Sequence, residues 1–170
     1  EAFEFISAHM DINDPHSLIL STTTRFNIQL QPDKYFKKVV NLKRVNDIQF
    51  INKFFEAVNR KLPLNGIFIG AVETKLLRKQ RILRKYLPGL NWFMYSLDFM
   101  IKRVFPKFTL TKKIYFFLTR GENRVITRAE ILGRLYSCGF EVVEEKFIGD
   151  LFYFAVRKIK DPAYDMNPTY

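Results

Sequence analysis

Apolar positions recur with two periods along the chain, and each change of period marks an element. Ser17-Leu-Ile-Leu-Ser-Thr-Thr-Thr24 and Phe26-Asn-Ile-Gln-Leu30 are β-leaning runs, the second in clear alternation, so the first forty residues read as strands. Gln31-Pro-Asp33 signals a turn, and Lys37-Lys-Val-Val-Asn-Leu42 is a further short strand. Asn46-Asp47 then reads as a helix cap, with Gln49 three residues after Asn46 in the capping-box position. Ile48, Ile51, Phe55 and Val58 follow at helical spacing down to Leu62-Pro63. Asn65-Gly66 turns the chain into Ile67-Phe-Ile-Gly-Ala-Val72, an uninterrupted apolar run of the kind found in buried parallel strands.

A helix is predicted next, with Val72, Leu76, Leu83 and Leu87 along one face and basic residues over the rest, broken by Pro88-Gly89. Leu90, Phe93, Met94, Leu97, Ile101, Val104 and Phe105 form a second helical stripe that Pro106 ends. The run Ile114-Tyr-Phe-Phe-Leu118 fits helix or strand equally by periodicity. Thr127 and Glu130 make a capping box before the apolar face of Ile131, Leu132, Leu135 and Tyr136, and Gly139 stands where a left-handed cap belongs. Phe140 to Ile148 alternates as a strand, Gly149-Asp150 turns, and Leu151 to Val156 completes a hairpin.

Strand, helix and strand in alternation argue for an α/β, Rossmann-like fold. The sheet is expected to be mostly parallel, with a C-terminal antiparallel hairpin and a basic helical insertion from Lys75 to Lys107. Residues 1–160 read as one domain, and 161–170 as a linker to a downstream catalytic domain. The chain opens on Glu1 and closes on Asn167-Pro-Thr-Tyr170, and is expected to be a fragment of something longer. With 48% hydrophobic residues, 7 Gly and 7 Pro in 170, the composition excludes a disordered or collagen-like chain. One cysteine excludes an internal disulfide framework, and no stretch approaches the ~18 apolar residues of a membrane-spanning helix. No signal-peptide pattern is visible.

Charge changes the picture. Lys and Arg number 28 against 17 Asp and Glu, a net of +11. The whole excess falls between Thr74 and Gly121, which hold Lys75, Arg78, Lys79, Arg81, Arg84, Lys85, Lys102, Arg103, Lys107, Lys112, Lys113 and Arg120 against Asp98 alone. Trp92, Phe93, Tyr95 and Phe99 are interleaved with them. Such a mixture suits an anionic membrane surface or nucleic acid, or the solvated face of helices that cover a core. No recognised nucleic-acid motif accompanies the charge, so no specific nucleic-acid partner is expected. Lys75, Arg78, Lys79, Arg81, Arg84, Lys85 and Trp92 are the residues expected to face a membrane or a partner.

Three groups are candidates for holding a ligand. Thr22, Thr23, Thr24 and Arg25 offer hydroxyls and a guanidinium to a phosphate, though threonines also suit plain β structure. Asn41 and Arg44 follow the carboxyl end of a strand, where α/β sheets bind ligands. Asn123, Arg124 and Arg128 around the Thr127 cap suit an anion at a helix N-terminus. His9 and His16, with Asp11 and Asp14, read as surface decoration on a polar loop, and Cys138 as a structural thiol. Glu144 and Glu145 lie on one strand and point to opposite faces, so they are no acid/base couple.

The run Val39-Val-Asn-Leu-Lys-Arg-Val-Asn-Asp47, a helix, then Leu64-Asn-Gly-Ile-Phe-Ile69 resembles the latter half of a class I methyltransferase, and so does the closing hairpin with Leu151–Val156 as the inserted strand. That family binds S-adenosylmethionine on a glycine-rich turn after its first strand, whereas the first glycine here is Gly66 and Ser21-Thr-Thr-Thr-Arg25 stands in the turn's place. A degenerate site, and no cofactor, is therefore expected. Thr22-Thr-Thr-Arg-Phe-Asn-Ile28, Gly66-Ile-Phe-Ile-Gly-Ala-Val-Glu-Thr74, Tyr115-Phe-Phe-Leu-Thr-Arg-Gly-Glu-Asn-Arg-Val-Ile126 and Gly133-Arg-Leu-Tyr-Ser-Cys-Gly-Phe140 resemble the N-terminal region of bacterial polyprenyl glycosylphosphotransferase-type sugar transferases. That resemblance implies an accessory or regulatory domain, cytoplasmic and peripheral to the inner membrane, beside a catalytic domain that follows it, and places no catalytic residue on this chain. The alternatives are a working S-adenosylmethionine-dependent methyltransferase and a basic nucleic-acid-binding module.

Overall fold

The computed structural model describes residues 1–105 and 122–162. Its strands are β1 (Ser17–Leu20), β2 (Lys38–Asn41), β3 (Ile67–Val72), β4 (Phe140–Ile148) and β5 (Leu151–Lys158). They lie side by side in the order β1-β2-β3-β5-β4. β1, β2 and β3 are parallel, while β5 runs antiparallel to both β3 and β4. The last strand of the chain is thus inserted beside β3 and pushes β4 to the edge. This is the Rossmann-like arrangement, parallel at its start and closed by an antiparallel hairpin, that the alternation of elements predicts.

The apolar runs show why these segments pair at the centre. Along β3 and β5, successive residues bury on opposite faces. Phe68, Val72, Phe152, Phe154 and Val156 pack on one side, and Ile69 and Ala155 on the other. On the first side α3 (Ile51–Lys61) seats Ile51, Phe54, Phe55 and Val58, and α6 (Arg128–Ser137) seats Ile131 and Leu135. On the second, α1 (Ala2–His9) brings Phe5 against Val40, Ile69 and Ala155. Glu144 and Glu145 of β4 do reach opposite ways. Glu144 lies 2.9 Å from His9 on α1, and Glu145 pairs with Arg128 on α6.

Three local readings change. Residues 2–9 are a helix, because one face of the sheet would otherwise leave Val40 and Ile69 uncovered. Phe26–Gln29 forms a single helical turn, α2, rather than a strand. Its alternation is not a sheet face: Ile28 is buried, while Phe26 and Leu30 are exposed. Asn46 and Asp47 lie in a 3-10 turn (Val45–Asp47), and α3 begins only at Ile51, with no side-chain cap on it. The Thr127–Glu130 capping box is formed in full. The insertion contains α4 (Lys75–Lys85) and α5 (Leu90–Phe99), and α5 runs on into a π-helical turn (Met100–Val104). Its end at Lys107, the Ile114–Leu118 run and most of the 161–170 linker fall outside the described residues.

The end of β5 is tied to the helices by polar groups that water does not reach. Lys158 is buried and donates to the carbonyls of Asn59 (2.9 Å) and Leu62 (3.0 Å) at the end of α3. Asn59, also buried, donates to the carbonyls of Cys138 and Lys160. Gly139 completes this knot at φ 88°, and a Cβ there would stand 2.3 Å from the Lys160 carbonyl oxygen. Gly139→Ala is therefore expected to destabilise the fold by ~2 kcal/mol or more, since backbone rather than a flexible side chain must give way. Gly133→Ala, in α6 with open space at its Cβ, is expected to raise stability by roughly 0.5–1 kcal/mol. Thermal unfolding of the two variants beside the wild type checks both signs.

Candidate functional site

The carboxyl ends of β1, β2 and β3 meet at one edge of the sheet, the place where α/β folds hold ligands. Here each end is closed by side chains of the chain itself. The Thr22 amide donates to Asn41 Oδ1 (3.0 Å), and Asn41 Nδ2 donates back to the Thr22 carbonyl (3.0 Å). The Asn41 side chain thus extends the β1–β2 pairing past its last backbone rung. Thr22 Oγ1 donates to the Thr24 carbonyl and accepts from the Thr24 amide and from Asn27 Nδ2. Thr22 is buried, whereas Thr23 is half-buried and Thr24 and Arg25 are exposed.

Asn46 performs the same closure one strand further on. Its Oδ1 accepts from the Glu73 amide (2.7 Å), and its Nδ2 donates to the carbonyls of Glu73 and Arg124 (2.8 Å each). The polar residue read as a helix cap is therefore a bridge between β3 and the segment before α6. Thr74 and Ile126 continue that bridge as a parallel backbone pair, and Thr74 also caps α4.

Glu73, directly after the apolar run of β3, is 2% exposed. A buried carboxylate requires compensating charge. Arg81 Nε donates to its Oε1 (2.5 Å), Arg78 Nη1 to its Oε2 (3.2 Å), and Arg44 Nη1 stands 3.5 Å from Oε2. Arg78 is itself 3% exposed. It grips Asp98 of α5 through Nε (2.7 Å) and Nη2 (2.8 Å), and donates to Asn123 Oδ1 (2.7 Å). Arg44 also pairs with Asp47, and Lys102 with Asp98. Four cations and three carboxylates thus interlock over the end of β3.

The electrostatics follow from this packing. Burial pushes the Asp98 carboxyl up, but the hydrogen bonds and charge of Arg78, aided by Lys102 and Arg81, outweigh it and hold Asp98 below its ordinary range. Burial lowers Lys102, and the nearby Arg78 adds to that. The Glu73 hydrogen bond holds Arg81 above its usual value against burial. Burial also raises the Cys138 thiol to about 11, so it stays protonated near neutral pH.

The residues expected to bind a ligand are thus brought near one another, but Thr22, Asn41 and Arg44 bond internally. Glu73 escaped the sequence reading. Its signal was an acid ending an apolar strand, followed by arginines five and eight positions on. Of the residues expected to face a membrane or partner, Arg78 turns inward and cannot present its charge. Arg81 is tied to Glu73 and Arg84 to Asp150. Lys75 lies 4.7 Å over the Phe99 ring, Lys79 4.8 Å over Trp92, and Lys85 5.6 Å over Tyr86, while Trp92 is exposed. The buried face of α4 is Arg78 and Ile82, whereas Leu76 and Leu87 of the expected apolar stripe are exposed. Asn123 accepts from Arg78, Arg128 pairs with Glu145, and His16 meets the Tyr35 carbonyl. Among the described residues no group of three His, Cys, Asp or Glu side chains is placed to hold a metal ion, and no helix is long and apolar enough to cross a membrane.

An S-adenosylmethionine site needs backbone open to the ligand after the first strand. The turn at Ser21–Arg25 carries side chains, is occupied by the Thr22–Asn41 and Thr22–Asn27 bonds, and does not fit that group in the form described.

Breaking the cluster should be costly. Arg78→Met leaves Glu73 and Asp98 short of a partner, and is expected to lose about 3–5 kcal/mol in chemical denaturation. Because Asp98 titrates lower in the folded chain than in the unfolded one, its contribution is complete above the unfolded value and is lost as pH falls through the folded one. Emission of Trp92, the sole tryptophan and a residue of α5, should therefore change below about pH 4. Asp98→Asn should show the acid form of that signal already at pH 7.

No family model matches the sequence, and no curated protein matches it. Comparison with solved structures gives partial likenesses at low identity. A protein described as a possible exported protein from Bordetella parapertussis is 12% identical over 78% of this chain and 42% of its own, at a TM-score of 0.45. An S-adenosylmethionine-dependent methyltransferase from Thermotoga maritima, described as a possible histamine N-methyltransferase, is 14% identical over 77% of this chain and 61% of its own, at 0.44. A methyltransferase of the same dependence from Methanosarcina mazei is 19% identical over 75% and 61%, at 0.39. The chain thus spans about two fifths to three fifths of the length of these three proteins.

Proposed function

We propose that this chain is a methyltransferase-like α/β domain that serves as a non-catalytic, accessory module. The observation that carries the proposal is the closed carboxyl edge of the sheet. The polar side chains at the ends of β1, β2 and β3 bond within the chain, Asn41 to the Thr22 backbone, Asn46 to the Glu73 backbone, and the Glu73 carboxylate to Arg78 and Arg81. A catalytic cleft would keep donors and acceptors there for a substrate.

The finer reading places the domain beside the catalytic part of a membrane-associated sugar transferase. It rests on the sequence resemblance alone and has no support from the fold. The second reading is a working S-adenosylmethionine-dependent methyltransferase, and the strand order favours it, with β5 inserted antiparallel beside β3.

Isothermal titration of S-adenosylmethionine and S-adenosylhomocysteine into the chain separates the two. The accessory reading expects no saturable heat up to about millimolar ligand, a binding free energy weaker than ~4 kcal/mol. Micromolar binding of either compound, reduced by a change at Asn41 or Arg44, would replace it with the enzyme reading.

A further inference from the structure

Helix α5 is amphipathic the wrong way round for a helix of a water-soluble surface. At about 100° per residue, its polar side chains Asn91 and Asp98, with Lys102 of the π-helical turn, share one half of the helix. That half faces the domain: Asn91 bonds to the Leu83 carbonyl of α4, and Asp98 is gripped by buried Arg78. The opposite half carries Leu90, Trp92, Phe93, Leu97 and Met100, with Ser96 its one polar member. All five of those apolar side chains are exposed, Phe93 to 63% and Trp92 to 55%, and α5 has no buried residue at all. A salt bridge therefore points this apolar arc away from the domain rather than into it.

The surroundings of the arc are basic. From Lys75 to Val104 there are eight Lys and Arg residues against one acid, Asp98. Lys79 stands over Trp92 and Tyr95, and Lys75 over Phe99, so two ammonium groups sit at the rim of the aromatic face. A second copy of this surface would bring like charge against like charge. A nucleic acid would find the charge but not a use for Leu90, Leu97 and Met100. An apolar arc rimmed by lysines, on a helix too short to span, is complementary to the headgroup and upper acyl region of an anionic bilayer.

We propose that α5 is an interfacial membrane anchor. Trp92, Phe93, Leu97 and Met100 enter the acyl boundary of an anionic leaflet, Lys75 and Lys79 meet its phosphates, and the Arg78–Asp98 pair holds the helix in the exposing orientation. This assignment is independent of whether the sheet edge binds S-adenosylmethionine.

The sole tryptophan makes the test direct. The full chain is mixed with vesicles of phosphatidylcholine alone, or with about a third phosphatidylglycerol, and with acyl chains brominated or not. With anionic vesicles Trp92 emission should shift to the blue and be quenched by brominated chains, and the protein should co-sediment. Neutral vesicles should do little. Phe93→Glu with Leu97→Glu, both exposed positions, should abolish quenching while thermal unfolding stays near wild type. Lys75→Gln with Lys79→Gln should lower partitioning on the order of tenfold. Trp92 emission that ignores anionic vesicles would overturn the proposal. Sedimentation without acyl-chain quenching would overturn it too, since charge alone would then explain binding.

Discussion

A carboxylate buried at the end of the central parallel strand sets the terms for much of this structure. Glu73 follows the apolar run of β3 and is buried, with Arg78 and Arg81 of α4 on its carboxylate. Its oxygens are met by guanidinium groups, and these come from the loop after β2 and from α4. These contacts fix the rotation of α4: Arg78 and Ile82 face inward, and Leu76 faces outward. Arg78 then has two donors to spare, which Asp98 takes in a two-pronged bond. The bond in turn orients α5 and decides which half of it meets the outside. A buried ion pair of this kind adds little net stability compared with apolar packing. Its consequence here is orientation.

The same logic separates what could be read along the sequence from what could not. β3, the β4–β5 hairpin, the Thr127–Glu130 capping box and the left-handed Gly139 are written in short local patterns, and the structure contains each of them. The face of α4 is not local. Leu76, Leu83 and Leu87 have the spacing of a core stripe, but the buried position goes to Arg78 because its partners sit at Glu73, Asp98 and Asn123. Asn46 likewise had the spacing of a capping box, and a strand 27 residues away took its carboxamide instead. The runs at 2–9 and 26–29 read as strand by composition and alternation, yet both are helical, with Phe5 packed on the sheet and Ile28 in the core.

For the candidate site, sequence position located the residues but not their hydrogen-bond partners. Thr22, Asn41 and Arg44 do converge at the carboxyl edge of the sheet, as strand ends in this fold class must. Polar residues at such an edge serve either a ligand or the edge itself. Only hydrogen-bond partners distinguish the two: Thr22 and Asn41 bond to each other, and Arg44 pairs with Asp47 and Glu73. The α/β sheet thus carries, at its carboxyl edge, polar side chains bonded within the chain.

That the charged cluster is formed, with Glu73 and Arg78 buried at its centre, is the central claim, and the guanidinium groups report on it directly. In nitrogen-15 spectra of the arginine side chains at neutral pH, the Nε–H of Arg78 and Arg81 should be resolved, displaced from the exposed Arg25 signal and slow to exchange with water. Exchange of both as fast as that of Arg25 would mean that the edge stands open to solvent, and would contradict the account.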